Sequence, residues 1–268
     1  MELTSARTKL RRAQEHFETL KAETGAWTSG NSNSVRIESN AEGTRHRFVV
    51  SIQNAPDADR WGCLIGDCVH NLRSALDHVI WQLSGPAPPE FCEFPIFASP
   101  VRRPTGELQP GFNAKIRGIT KASVRDFIEV CQPCNAADPP KRGVLWVLHR
   151  IDIVDKHKIL IACLLEHLDP GDMNIRLRFA DDSPVIGPPH TFIKNSQPVS
   201  DGDTLLTILN EGRVEHVEAD INFALQVGID ARDLGVDLGR PFGPIPDLLG
   251  ELGAAVDSVI GEIESLTA

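Results

Sequence analysis

The chain has 268 residues, 41% of them apolar, and a formal net charge of −10. That length and composition suffice for a substantial buried core, and the acidic balance argues against generic nucleic-acid binding. No apolar run approaches the ~20 residues of a membrane span, Met1-Glu2-Leu3-Thr4 lacks the basic-then-apolar order of a signal peptide, and six scattered cysteines make no disulfide framework, so a globular cytoplasmic protein without membrane contact is expected.

In chain order, Leu3, Ala6, Leu10, Ala13, Phe17 and Leu20 recur at helical spacing and predict a helix over 3–23. Ser34 to Glu38 and Arg45 to Ile52 alternate around Asn40-Ala41-Glu42-Gly43, which predicts a β-hairpin. A long helix from Asp57 to Leu83 follows and stops where Ser84-Gly85-Pro86-Ala87-Pro88-Pro89 cannot continue it. Residues 85–112, with Phe94-Pro95-Ile96-Phe97 among many prolines and glycines, read as an ordered irregular loop. Short helices are expected over Lys121–Val130 and Gly143–Lys156. The apolar run Lys158–Leu168 reads as a strand, because Asp169-Pro170-Gly171-Asp172 is a turn and Asn174 to Phe179 alternates beyond it. Thr204–Leu209 and Val217–Val227 predict a second hairpin around Asn210-Glu211-Gly212-Arg213, with Val217, Ala219, Ile221, Phe223, Leu225 and Val227 on one face. A C-terminal amphipathic helix over Pro246–Leu266 closes the chain. The pattern is α+β, a helical part with antiparallel strands gathered later, and without repeats or a clear linker a single domain over residues 1–268 is expected.

The long helix carries most of the chemistry. Leu64, Ile65, Cys68, Val69, Leu72, Ala75, Leu76, Val79, Ile80 and Leu83 fall in one arc, while Asp67, His70, Ser74, Asp77, His78 and Trp81 lie opposite. An indole has little reason to face bulk water, so a second layer or a second subunit is expected over this stripe, and covered polar groups are hydrogen-bonded or functional. A two-fold contact at Trp81 makes a homodimer the expected assembly.

A second cluster is His149-Arg150-Ile151-Asp152-Ile153-Val154-Asp155-Lys156-His157. His149 and Asp152 stand at i, i+3, Asp152 shares a stripe with Leu145, Leu148 and Ile159, and Lys156 is its nearest partner one turn on. At a helix end, His157 would reach back to the last carbonyls. His70 with Asp67 or Ser74 on one helix, and His149 with Asp152 on a second, have the ligand spacing of metal sites in helical bundles, with Asp77 and His157 as alternative members of the set, but no metal or cofactor is expected. Cys131-Gln132-Pro133-Cys134, a lone C-x-x-C, reads as a turn. Eleven Lys/Arg against six acids between Arg102 and Lys158 leave an anion-binding surface open, beside the plainer reading of a solvated surface.

Gly66-Asp67-x-x-His70-Asn71-Leu72-Arg73-Ser74-Ala75-Leu76-Asp77-His78, then Phe94-Pro95-Ile96, Gln132-Pro133 and Asp155-Lys156-His157-Lys158, resemble the ordered landmarks of a widespread family of uncharacterised bacterial proteins, over about residues 58–160. That resemblance implies no particular activity. Taken with the second cluster, the polar residues His70, Asn71, Ser74, Asp152, Asp155, Lys156 and His157 are the candidate binding residues. Separately, Arg73-x4-His78 is similar to the motif of HEPN ribonucleases. The similarity implies metal-independent RNA cleavage at paired motifs across a dimer, with Arg73 holding the scissile phosphate, His78 moving the proton and Asp77 beside them. Two other classes stay open. In one, Arg73, Asp77 and His78 form an internal network in a non-catalytic scaffold or interaction protein; the other is a metal-dependent hydrolase.

Overall fold

The structure, a computed structural model, describes residues 2–30, 34–85, 92–136, 140–157, 162–167, 173–180, 190–193, 198–221, 224–229 and 245–268. It is an α+β protein with six helices and nine strands among these residues. They group into two compact units, one comprising 1–23, 58–161 and 229–268, the other 24–57 and 162–228.

The first unit is helical. It holds most of α1 (Thr4–Gly30), then α2 (Ala58–Leu83), α3 (Pro110–Ile116), α4 (Ala122–Val130), α5 (Val144–His157) and α6 (Ile245–Thr267). The arc expected on α2 is the core: Ile65, Cys68, Val69, Leu72, Ala75, Leu76, Val79 and Ile80 are each 0–2% exposed. Each of the Val, Leu and Ile side chains among them contributes roughly 1.5–3 kcal/mol of burial, which is why α2 packs against both α5 and α6. Leu249, Leu252, Val256, Ile260 and Ile263 supply the matching stripe of α6. Gly85 ends α2 at φ +76, the left-handed conformation that glycine adopts without a Cβ penalty. Residues 86–91 of the expected loop lie outside the described residues. Beyond them the chain from Glu93 to Gln109 has one isolated bridge, Arg102 to Leu108, before α3. That helix was not expected from the irregular reading of 85–112; Pro110 at its first turn, where no amide hydrogen is needed, starts it.

The second unit contains the sheets. β1 (Ser34–Ser39) and β2 (Arg45–Ser51) form the expected antiparallel hairpin, and the Asn40 side-chain oxygen accepts from the Thr44 and Arg45 amides at 2.8 and 2.9 Å. Gly43 at φ +67 completes the turn; a Cβ there would stand 2.6 Å from the Val214 carbonyl. β3 (Ala162–His167), β4 (Met173–Phe179), β5 (His190–Ile193), β6 (Pro198–Val199), β7 (Thr204–Leu209), β8 (Val214–Ile221) and β9 (Ala224–Ile229) complete three sheets, ordered β1-β2-β7-β5, β6-β3-β9 and β4-β8. The strand expected over Lys158–Leu168 is present as β3; residues 158–161, 168 and the turn at 169–172 lie outside the described residues.

The second expected hairpin is corrected. β7 pairs with β2 and β5, whereas β8 pairs with β4, so the Asn210–Arg213 turn joins two sheets. The turn residues were legible, but partner choice went to the apolar faces, with Leu206 opposite Phe48. The Asn210 amide donates to the Gly43 and Gly212 carbonyls and holds the redirected chain. The strand expected over Val217–Val227 is likewise two strands; Phe223 lies outside the described residues.

Candidate functional site

Most of the singled-out residues meet within the first unit, and they meet one another. Arg73 lies among the core positions of α2, its side chain 5% exposed. Its Nη1 donates to Asp77 Oδ1 at 2.6 Å and its Nη2 to the Phe94 carbonyl at 2.8 Å. Asp77 Oδ1 in turn accepts from the Phe94 amide at 2.8 Å, so one i, i+4 ion pair holds both backbone polar groups of Phe94. Burial raises the Asp77 carboxyl above its ordinary pKa against the lowering pull of Arg73 and the Phe94 N–H. Glu93 lies 3.8 Å from Arg73 Nη2 and pairs with Lys115. Burial alone would raise Glu93, but the Lys115 hydrogen bond and charge, with Arg73, bring it below the usual carboxylate range.

The same irregular segment is held again three residues on. Gln132 is 1% exposed. Its side-chain oxygen accepts from the Phe97 amide at 2.9 Å, and its Nε2 donates to the Pro95 carbonyl at 2.9 Å and to Ile128 at 2.8 Å. A stretch with no strand partner thus has its buried backbone groups satisfied by side chains of α2 and of the turn after α4. Arg73 and Asp77 thus hold Phe94, and Gln132 holds Pro95 and Phe97 of the same segment.

A second network joins α2 to α5. Asp152 is 2% exposed; Lys156 Nζ reaches its Oδ2 at 2.7 Å, as expected, and His70 Nδ1 stands 3.4 Å from its Oδ1. Asp155 rests against Gly66, where a Cβ would lie 2.1 Å from Oδ1 and 2.7 Å from Cγ. Gly66 is therefore the seat of the Asp155 carboxylate, whose pKa is raised by burial and by Asp152. Asn71 donates to the Asp67 carbonyl of its own helix at 2.8 Å, and Ser74 is half-buried. His157 is the last residue of α5, and the interactions expected of its side chain lie outside the described residues.

Between the networks stands His149, its Nδ1 buried without a hydrogen-bond partner and its ring 5.7 Å from that of Trp146. Burial, helped by the Arg73 and Lys115 charges, pushes its pKa down to about 4 from 6.5. In the window between those values the unfolded chain binds a proton that the fold refuses, so stability falls as pH falls from 6.5 towards 4. His46 and His78, both lowered by burial, act with the same sign. Asp77 and Asp155, raised from 3.8, act oppositely: their contribution is full below that value and is lost as pH rises through their folded values. The expected result is a melting temperature that drops from pH 7 to pH 5 and drops less in His149→Gln. Equal slopes in the two proteins would remove His149 from the account.

Arg73 and His78 lead separate lives. They lie ~140° apart around the helix, and His78 is half-buried, its pKa lowered by burial and by the charge of Lys9, with its own Nδ1 unpartnered. The structure thus joins Arg73 to Asp77 but gives His78 other neighbours. Trp81 is 56% exposed on the chain, with no covering layer among the described residues. Several cations between Arg102 and Lys158 are neutralised at home, Arg102 by Glu129, Lys115 by Glu93 and Lys156 by Asp152. Cys131 and Cys134 are free thiols, with Cys131 pushed up to about 12 by burial. Among the described residues no three His, Cys, Asp or Glu side chains are grouped to hold a metal ion, and no helix is long and apolar enough to cross a membrane.

Sequence reasoning missed Glu93, Lys115 and the role of Gly66. Only Gly66 left a trace, a glycine inside an otherwise strong helical pattern, which marks a close approach when it is not a stop. Compared with known proteins, the chain matches no family model, no curated protein and no solved structure.

Proposed function

We propose that this is a non-catalytic scaffold or interaction protein of the cytoplasm, in which the Arg73, Asp77, Asp152, Asp155 and Lys156 groups are internal fastenings. The observation that carries this reading is the Arg73 guanidinium, 5% exposed and committed through both terminal nitrogens to Asp77 and Phe94. A phosphate-holding arginine needs an accessible donor face, and unmaking those bonds would orphan a half-buried carboxylate and a buried carbonyl. Landmarks fasten to one another, Gly66 to Asp155 and Gln132 to the Phe94–Phe97 segment, while His70 fastens to Asp152 of the second cluster. Free thiols at Cys63, Cys68, Cys92, Cys131 and Cys134 support a reducing compartment. The test is incubation of the purified protein with single-stranded and hairpin RNA in chelator, alongside His78→Ala. No cleavage above buffer is expected from either. Cleavage that co-elutes with the protein and vanishes in a fully folded His78→Ala would sink the proposal.

The second reading, a HEPN-like ribonuclease acting as a homodimer, is favoured by one observation, the 56% exposed Trp81 on the helix that bears His78. A two-fold contact through that indole would cover it and bring two His78 side chains together. Sedimentation of wild type and Trp81→Ala checks this reading. A dimer lost on substitution supports it, and a monomer across micromolar concentrations excludes a composite site.

A further inference from the structure

The apolar stripe of α1 is not sealed along its length. Leu3, Ala6, Ala13 and Leu20 are each 0–1% exposed, but Leu10 and Phe17 of the same stripe remain half-buried. Both face a groove of about 480 Å³ bounded by α1, α2 and α6. Its floor is Cys68 and Leu72 of α2, and its far wall is Leu249, Gly250, Gly253 and Ala254 of α6. A side chain added at Gly250 or Gly253 would meet nothing within 4 Å, so the absence of side chains there opens the space without serving helix packing. A cleft of this volume with apolar walls and few polar groups has the character of a small-molecule site.

The polar groups on its wall are unequal. Arg7 and Asp257, both on the wall, are spent on each other, and Arg7 Nη2 also stands 2.6 Å from Glu264. Gln14 donates to Glu18 at 2.6 Å. Arg11, one helical turn beyond Arg7, is exposed and has no ion-pair partner among the described residues. The groove therefore offers an apolar bed and one uncommitted guanidinium. We infer that the groove between α1, α2 and α6 binds an amphiphilic monocarboxylate, its apolar chain against Leu10, Phe17, Leu72 and Leu249 and its carboxylate on Arg11. Such a ligand replaces water on two half-exposed apolar side chains and brings the counter-charge that Arg11 lacks, in the planar geometry a guanidinium binds best. This site shares none of its contacts with the Arg73 network, so the inference stands apart from the proposed function.

Isothermal titration with decanoate below its critical micelle concentration, beside decylamine and decanol, tests it on the intact chain. Decanoate should bind with a micromolar dissociation constant, decanol more weakly and decylamine not at all. Gly253→Leu, which fills the space, should abolish binding, and Arg11→Glu, a surface change that leaves the core untouched, should weaken it by roughly tenfold or more. Thermal melts report whether Gly253→Leu remains folded, and Arg11→Glu decides the matter if it does not. No heat with decanoate, decylamine bound as well as decanoate, or Arg11→Glu bound as well as wild type would each overturn the inference.

Discussion

Arg73→Ala should lower the stability of the intact protein by roughly 2–3 kcal/mol, because it strips a half-buried carboxylate of its cation and a buried carbonyl of its donor. The loss has two parts. Asp77, whose carboxyl burial already strains towards neutrality, loses its cation, and the Phe94 carbonyl loses its donor. Arg73→Lys keeps the charge but replaces a planar fork by a single ammonium, and should fall between wild type and alanine, since it cannot serve Asp77 and Phe94 in the same geometry. Combining Arg73→Ala with Asp77→Asn should cost less than the two separate losses, because the second change removes the charge that the first strands. Denaturant midpoints and melting temperatures check all four proteins. An Arg73→Ala variant within about 0.5 kcal/mol of wild type, the range of an ordinary surface substitution, would show the guanidinium to be free for other work.

Gly66→Ala should destabilise the protein by about 1–3 kcal/mol, the usual cost of forcing extra volume into a packed contact. The sign makes this informative. Alanine in place of glycine within a helix ordinarily favours the helix by about 1 kcal/mol, so a loss can come only from the tertiary contact. That contact is Asp155, whose carboxylate occupies the position of the missing Cβ. Placing Gly66→Ala in an Asp155→Ala background should therefore restore the ordinary gain. Stabilisation by Gly66→Ala alone would mean that the Asp155 carboxylate swings aside at little cost and does not depend on its seat on Gly66.

The elements whose signal is local came out of the sequence with small boundary errors. α2 runs over Ala58–Leu83 against an expected start at Asp57, and α6 over Ile245–Thr267 against Pro246–Leu266. In both, an apolar arc at helical period settles the matter without reference to the rest of the chain. α1 was expected to stop at residue 23 but continues to Gly30; its last residues are fixed by Thr24, 6% exposed, and by Trp27, whose Nε1 donates to the Asn54 carbonyl at 3.1 Å. Those contacts are long-range, and no periodicity announces them.

Within the candidate site, spacing was enough to pair Asp152 with Lys156, because residues four apart on a helix are neighbours whatever the fold; Arg73 and Asp77 have the same spacing, but the sequence left their network, with His78 in it, as one reading among three. Spacing was enough, too, to set Arg73 and His78 on different sides of α2. What the tertiary structure alone decided is whom each group meets across the chain: Phe94 for Arg73, Gly66 for Asp155, and the Phe94–Phe97 segment for Gln132. A helix determines its own faces through bond geometry, whereas the partner of a face depends on which distant segment best satisfies its buried polar groups and fills its apolar volume, a choice written in the whole chain and not in any window of it.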